Sequence, residues 1–482
     1  MNVSEYKNYD GVGLAQLVKK GEVSAKELAR TALKIAEEFE PDIGALIATF
    51  DDDVENLRDS SLPEGPFKGL PIIIKDCLIM ARGKPVANGS RVCDGLSAPY
   101  DTELMTRLRA AGVVPIGIGK CPEFGYNVTT EPVRFGPVHN PWKLGYSAGG
   151  SSGGSAAAVS AGYVPLAHGN DGGGSIRIPA SQCGLVGLKV TRGRTSMAPD
   201  IGEALFGMGS EGFLSRSLRD TAAMLDAVNG SAPGDPYQIP APARPYVDEL
   251  KAEMRPAKIA VAVPKHWTRH SISPEVEKAV NAVGRILEDL GHNITEDCFN
   301  HSPGGLAEAI NLAWIIGETA WIKGVSQFSG IEPGPETLER AMRNIYREGL
   351  ELDAVSSLST IWSGFNSTCR SVAPFFEEYD YFVLPTLAKP PIKLGVLNQN
   401  ADIDSKKWWD AIEAVAPFTA IFNVTGQPSI SLPLCQSRNG MPIGIQIVSK
   451  FGNEGGLLRL AAQLEQAMPW TDRHPDHSIW NR

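Results

Sequence analysis

Apolar positions recur at helical spacing after Ser24, and the pattern predicts an amphipathic helix running to about residue 38. Its opening, Ser24-Ala25-Lys26-Glu27, has the Ser-x-x-Glu form of a capping box. Further along, 101–111 reads as helix and 113–118 as strand. Residues 152–161, 164–168 and 217–228 then continue as helix, strand and helix. Such alternation predicts an α/β layered fold. An uninterrupted apolar run, Leu70 to Ile74, ends abruptly at Lys75. Proline crowds a connection at about 231–257, after which 258–263 reads as a new strand and 274–290 as a new helix. Residues from about 306 to 376 are mainly helical in pattern.

Composition narrows the class. A chain of 482 residues with 43% apolar content can bury a large core, and its length alone would allow two to four domains. A formal net charge of −10 argues against a basic nucleic-acid surface. No apolar run approaches the roughly 18 residues of a membrane span. The first ten residues hold no hydrophobic signal core, so a cytoplasmic protein with no membrane partner is expected. Seven scattered cysteines, an odd number, point to free thiols in a reducing compartment. Cys77 reads as core packing rather than as a thiol nucleophile. No cluster of His, Cys and carboxylates has metal-ligand spacing, and neither metal nor cofactor is expected.

The chemistry concentrates in two glycine-rich turns, Gly149-Gly150-Ser151-Ser152-Gly153-Gly154-Ser155 and Gly169-Asn170-Asp171-Gly172-Gly173-Gly174-Ser175. Each delivers serine to the start of a predicted helix, where stacked N–H groups and the helix dipole favour negative charge. That charge could belong to a phosphate or to a developing oxyanion. A phosphate loop would require G-x-x-x-x-G-K-[ST], and no lysine follows these glycines; the dinucleotide pattern G-x-G-x-x-G is also missing. Residues 149–153 match G-x-S-x-G formally, but that elbow needs a strand running into the serine, and 139–145 reads as loop. His168 falls inside a predicted strand and is expected to pack there. Serine is a weak nucleophile until a base takes its proton, and a buried lysine can be that base because desolvation disfavours its charged form. Lys75, Ser151 and Ser175 therefore suggest Ser/Ser/Lys acyl-transfer chemistry.

The stretch Gly69-Leu70-Pro71-Ile72-Ile73-Ile74-Lys75-Asp76, then GGSSGGSAAA, then GGGSIRIPAS-x-CGLVGLK closely resembles the amidase signature family over about residues 69–193. Similar segments recur at 422–428 and 441–446. The resemblance implies one amidase domain over 1–482, built on a large mixed β-sheet core covered by helices on both faces. It implies Ser175 as nucleophile, Lys75 as base and Ser151 as the bridging serine, preceded by a cis peptide bond. The N–H groups of Gly172, Gly173, Gly174 and Ser175 become the oxyanion hole. The family more often has threonine where Gly172 stands, which suggests extra flexibility or pocket space. Asp171 and Arg177 are expected to form a structural ion pair, Ser152 and Ser155 to cap a helix, and Ser181 to be structural.

Substrate contacts are less sharply marked. Tyr126 and Asn127 lie where family members commonly meet substrate. The helical region 306–376 is expected to cover the site, and Trp314, Ile316, Trp321, Phe328, Trp362 and Phe365 are candidates to line an apolar pocket, with ordinary core as the competing role. Segments 128–132, 167–171 and 463–470 look most like the family's 6-aminohexanoate cyclic-dimer hydrolase branch. That likeness implies a small, fairly apolar amide substrate, linear or cyclic, with anilides, nylon oligomers and carbamates in range; a homodimer is a further expectation. Two rivals remain open: a glutaminase subunit of a tRNA-dependent amidotransferase, and an inactive binding or scaffold homologue. The complete Lys75/Ser151/Ser175 set argues against the latter.

Overall fold

An 11-stranded mixed sheet runs through the computed structural model, which describes residues 1–300 and 303–481. From one edge to the other its strands are Leu46–Thr49, Val114–Gly119, Pro71–Lys75, Leu166–Asn170, Glu211–Ser215, Val186–Lys189, Ser429–Gln436, Pro442–Ser449, Tyr381–Pro385, Lys258–Val261 and Asn293–Thr295. Side chains alternate between the faces, so both must be covered. Along Tyr381–Pro385, Tyr381 and Val383 join one core cluster with the helices Leu218–Val228, Pro274–Asp289 and Glu454–Ala467. Phe382 and Leu384 join another with Pro303–Ser329, Arg340–Glu351 and Ala354–Glu378. The α/β reading, with helices on both faces of a large mixed sheet, therefore holds.

The strand Pro71–Lys75 lies between Val114–Gly119 and Leu166–Asn170 and is parallel to both. All five of its residues are buried, which is why its sequence is a continuous apolar run rather than an alternation. Lys75 and Asn170 consequently emerge side by side at the carboxyl ends of adjacent parallel strands, the edge where α/β sheets place their ligands.

Local signals fixed element identity better than element ends. The helix opened by Ser24 spans Ala25–Ile43, longer than its pattern suggests, and stops at Gly44 in a left-handed conformation with φ of 64°. The Ser24 side chain accepts from the Glu27 N–H, but Glu27 turns its own carboxylate to the amino terminus, so the capping box is half made. Residues 139–145 are a correction: His139–Asn140 and Lys143–Ser147 pair as a small two-stranded sheet. That sheet stands apart from the central one, so no central strand runs directly into Ser151. Between Val228 and Lys258 the only helix is Tyr246–Glu249, as the proline content suggests. Among the described residues no helix is long and apolar enough to cross a membrane, and no cluster of His, Cys and carboxylates could hold a metal ion. All seven cysteines are free.

Candidate active site

Lys75 is only 1% exposed, and its Nζ lies 2.7 Å from Ser151 Oγ. The same nitrogen donates to Asn170 Oδ1, while Asn170 Nδ2 donates to the Cys77 carbonyl at 2.9 Å. Asn170 thus fixes the amine from one side and leaves its other side to Ser151. The strand carrying Asn170 continues two residues past the 164–168 expectation, and this extension is what brings Asn170 to Lys75.

The peptide bond between Gly150 and Ser151 is cis. A Cβ on Gly150 would fall 2.6 Å from the Thr129 carbonyl oxygen and 2.7 Å from that of Asn127, so only glycine fits. The second turn meets the first through the Ser152 N–H, which donates to the Ser175 carbonyl at 3.3 Å. Among the described residues, nothing accepts from the N–H groups of Gly172, Gly173, Gly174 or Ser175. Unengaged donors in series at the start of a helix suit an oxyanion. Thr419 Oγ1 steadies this loop by donating to the Gly173 carbonyl at 2.6 Å.

Beneath the loop, Asp171 and Arg177 are both fully buried. Arg177 donates from Nε to Asp171 Oδ2 at 3.0 Å and from Nη2 to Oδ1 at 2.8 Å. Its remaining donors reach the Thr419 carbonyl, Gln446 Oε1 and Asn423 Oδ1, so all five are used. Burial alone would raise the Asp171 carboxyl, but the Arg177 guanidinium overrides it and holds the group well below the usual carboxylate range.

Ser151, Gly172 and Ser175 face a cavity of about 550 Å³ whose opposite wall includes Trp314, Ile316 and Trp321. A neighbouring cavity of about 610 Å³ shares Leu78 and Trp321 with it and reaches Lys75 and Phe328. Non-glycine residues with positive φ gather here: Leu78 (67°), Phe124 (51°), Leu205 (51°) and Phe206 (56°) all line the first cavity. Each such conformation costs about 1–3 kcal/mol and persists where the surroundings enforce it, commonly at functional sites.

Several expectations need correcting. Asn127 does not face the cavity, because its amide donates to the Leu397 carbonyl at 3.1 Å and accepts from the Thr129 N–H at 3.3 Å. Tyr126 is buried one layer back, its ring centroid 5.1 Å from that of Trp314. Trp362 is 64% exposed, and Phe365 packs at the margin of a core cluster, so neither joins the wall. Phe328, 88% exposed, belongs to the neighbouring cavity. Ser152 does not cap its helix; its hydroxyl donates to the Asn170 carbonyl at 3.3 Å, and Ser155 Oγ has no partner among the described residues. Gly172 does not open extra space, since a Cβ there would meet Leu205 at 2.9 Å and Trp314 at 3.3 Å. Ser181 accepts from the Gly444 N–H at 2.9 Å and is structural. His168 packs in its strand: Nδ1 accepts from the Lys75 N–H at 3.3 Å and Nε2 sits 2.7 Å from Glu211 Oε2. Cys77 lines the cavity, but burial pushes its thiol up to about 12, which keeps it protonated.

Among the cavity residues that were not candidates in the sequence reading are Asn170 and Glu318. Glu318 had a signal, being the one charged residue between Glu308 and Lys323 in an otherwise uncharged helical stretch.

The sheet, its helical cover and the paired glycine-rich turns define an amidase signature fold. The chain belongs to the amidase family, which matches residues 27–458. It is 34% identical over 483 residues to 6-aminohexanoate-cyclic-dimer hydrolase of Paenarthrobacter ureafaciens, covering 97% of this chain and 96% of that protein. The same-named protein of a Pseudomonas strain is 35% identical over 483 residues, with 97% and 96% covered. A solved structure of 6-aminohexanoate cyclic dimer hydrolase superposes with a TM-score of 0.91 at 32% identity, over 97% of this chain and 99% of that one. The protein is accordingly an enzyme that hydrolyses carbon–nitrogen bonds.

Proposed function

We propose that this enzyme cleaves small, fairly apolar amides through a covalent acyl-enzyme on Ser175, with Ser151 carrying protons between Ser175 and Lys75. The observation that carries this reading is the 2.7 Å approach of Lys75 Nζ to Ser151 Oγ, in a wall that also presents Ser175 to the cavity. Lys75 Nζ lies within hydrogen-bond reach of both Asn170 Oδ1 and Ser151 Oγ, which places it to exchange a proton with Ser151. Ser175 Oγ attacks the substrate carbonyl carbon, its proton passes to Ser151 Oγ, and the Ser151 proton passes to Lys75. The oxyanion settles on the free N–H groups of the 172–175 loop. The C–N bond then breaks as the proton returns through Ser151 to the leaving nitrogen. Water repeats the sequence on the ester and releases the acid.

The carboxyl groups lining the cavity are those of Asp171, Glu203 and Glu318. Among the described residues no lysine or arginine lines this cavity to meet a substrate carboxylate such as that of glutamine, which disfavours the glutaminase reading. Turnover of aryl amides, primary amides, carbamates, cyclic amide oligomers and glutamine, followed by mass spectrometry of acid-quenched enzyme, tests the proposal. Hydrolysis of an uncharged amide with an acyl adduct on the Ser175 peptide is expected. Turnover without an adduct at Ser175 would overturn it.

Asn170 acts in this scheme as a positioning residue. Asn170→Ala is expected to lower kcat by about 10²-fold with KM nearly unchanged, the scale of loss when a reacting group drifts by about 1 Å. Steady-state kinetics on the best substrate of the panel checks the split, and an equal fall in binding would refute it.

A further inference from the structure

The Glu318 side chain leaves Oε2 buried with no hydrogen-bond partner among the described residues, and the residue, 1% exposed, lines the Ser175 cavity. One helical turn earlier, Trp314 faces the same cavity with its Nε1 also unpartnered, as an i,i+4 neighbour should. The Tyr126 hydroxyl, behind Trp314, is a third buried polar group without a partner. Their exposures of 1%, 7% and 2% leave water little access to any of them. Buried polar groups are almost always satisfied, because leaving one unpaired forfeits its hydration for nothing. Two of the three, Glu318 and Trp314, line the same cavity as Ser175, which implies that a ligand there supplies the missing partners.

The chemistry of that ligand follows from the charge state of the site. Burial drives the Glu318 carboxyl well above the usual range, and the buried carboxyl of Glu123 nearby adds to the effect. Glu318 is therefore a neutral acid, able to donate and to accept, while Trp314 Nε1 donates only. A neutral group that itself offers both an acceptor and a donor completes the set, and the amide group has that character. A carboxylate would face only acids, and an ammonium group would require Glu318 to ionise beside Glu123.

We propose that Glu318 is the specificity-determining residue of this cavity, hydrogen-bonding a second, neutral amide that the substrate carries away from the bond being cleaved, with Trp314 Nε1 as a co-donor. The inference rests on the reading of Ser175 as nucleophile in amide hydrolysis.

The test uses anilides whose acyl chains end in methyl, primary amide, ammonium or carboxylate, over a series of chain lengths. Turnover is measured with wild type, Glu318→Gln, Glu318→Leu and Trp314→Phe. Binding is measured in parallel by calorimetry in a Ser175→Ala background, so that absent turnover refutes the hydrolysis reading while the binding ratios still decide this one. At one chain length the amide-ended compound is expected to be favoured over the methyl-ended one by about 10–10²-fold, the span for a site built to hydrogen-bond its ligand. Glu318→Gln should keep that ratio within a few-fold, Trp314→Phe should reduce it, and Glu318→Leu should abolish it. A role confined to structure would lower all four compounds alike and leave the ratio standing, which overturns the proposal. Preference for the ammonium-ended anilide, lost in Glu318→Gln, overturns it equally by showing an ionised site. Should Glu318→Leu fail to fold, Trp314→Phe, which keeps the ring and removes only the donor, carries the decision.

Discussion

Ser175→Ala is expected to lower kcat for amide hydrolysis by about 10⁴–10⁶-fold, the range seen when a covalent nucleophile is removed from a concerted catalytic unit. The structural cost should be small. Ser175 holds its neighbours through its main chain, by the carbonyl that accepts from the Ser152 N–H, whereas its side chain faces the cavity. Thermal unfolding of the variant should therefore coincide with wild type while turnover disappears. Residual activity should reflect only the N–H groups of the 172–175 loop and substrate binding. Lys75→Met is expected to cost less, about 10²–10⁴-fold, the usual contribution of a positioned general base. Equal activity in Ser175→Ala and wild type would remove Ser175 from the mechanism and leave Ser151, beside Lys75, as a serine facing the cavity.

The residues of the proposed relay were legible as candidates because each sits in a segment whose composition is locally constrained. Lys75 ends a strand that is buried on both faces, and an apolar run is the only sequence such a strand can have. Ser151 and Ser175 sit in turns where the backbone approaches other chain segments too closely for a Cβ, as at Gly150 and Gly174, so glycine marks the place.

Asn170 lacked any comparable mark. It becomes functional only because neighbouring parallel strands end together, and that register is a tertiary property. The aromatic candidates failed for a different reason. In Ala354–Glu378 the inward positions are Ser357, Ile361, Thr368, Val372, Phe375 and Phe376, and Trp362, one residue and about 100° around the helix from Ile361, points to solvent. Aromatic content showed that the region packs against something without showing which face does so. The strained positions Leu78, Phe124, Leu205 and Phe206 were equally silent, since none of the four is the glycine that positive φ ordinarily selects.

Arg177→Met is expected to destabilise the protein by about 3–5 kcal/mol near neutral pH, the cost of removing one partner from a buried ion pair. Arg177 serves three segments at once: the loop at Asp171, the carbonyl of Thr419 with the side chain of Asn423, and Gln446 in the strand Pro442–Ser449. Methionine fills much of the volume and satisfies none of these groups. The pH dependence has a definite sign. In wild type the Asp171 carboxyl is held below its unfolded value, so its contribution is present above about pH 4 and is lost as pH falls through the folded value. Without Arg177 the desolvation that already opposes ionisation dominates, the folded value rises above the unfolded one, and the carboxylate is penalised above about pH 4 instead. The deficit of the variant should therefore grow from mildly acidic to neutral pH. Urea unfolding of both proteins at the two ends of that window measures it. A deficit under about 1 kcal/mol, or one independent of pH, would mean that Asn423 and the N–H groups of Ile176 and Arg177 suffice to hold the Asp171 carboxylate without the guanidinium. Because the same carboxylate anchors the loop that offers its N–H groups to the oxyanion, the variant should also lose turnover under conditions where it remains folded.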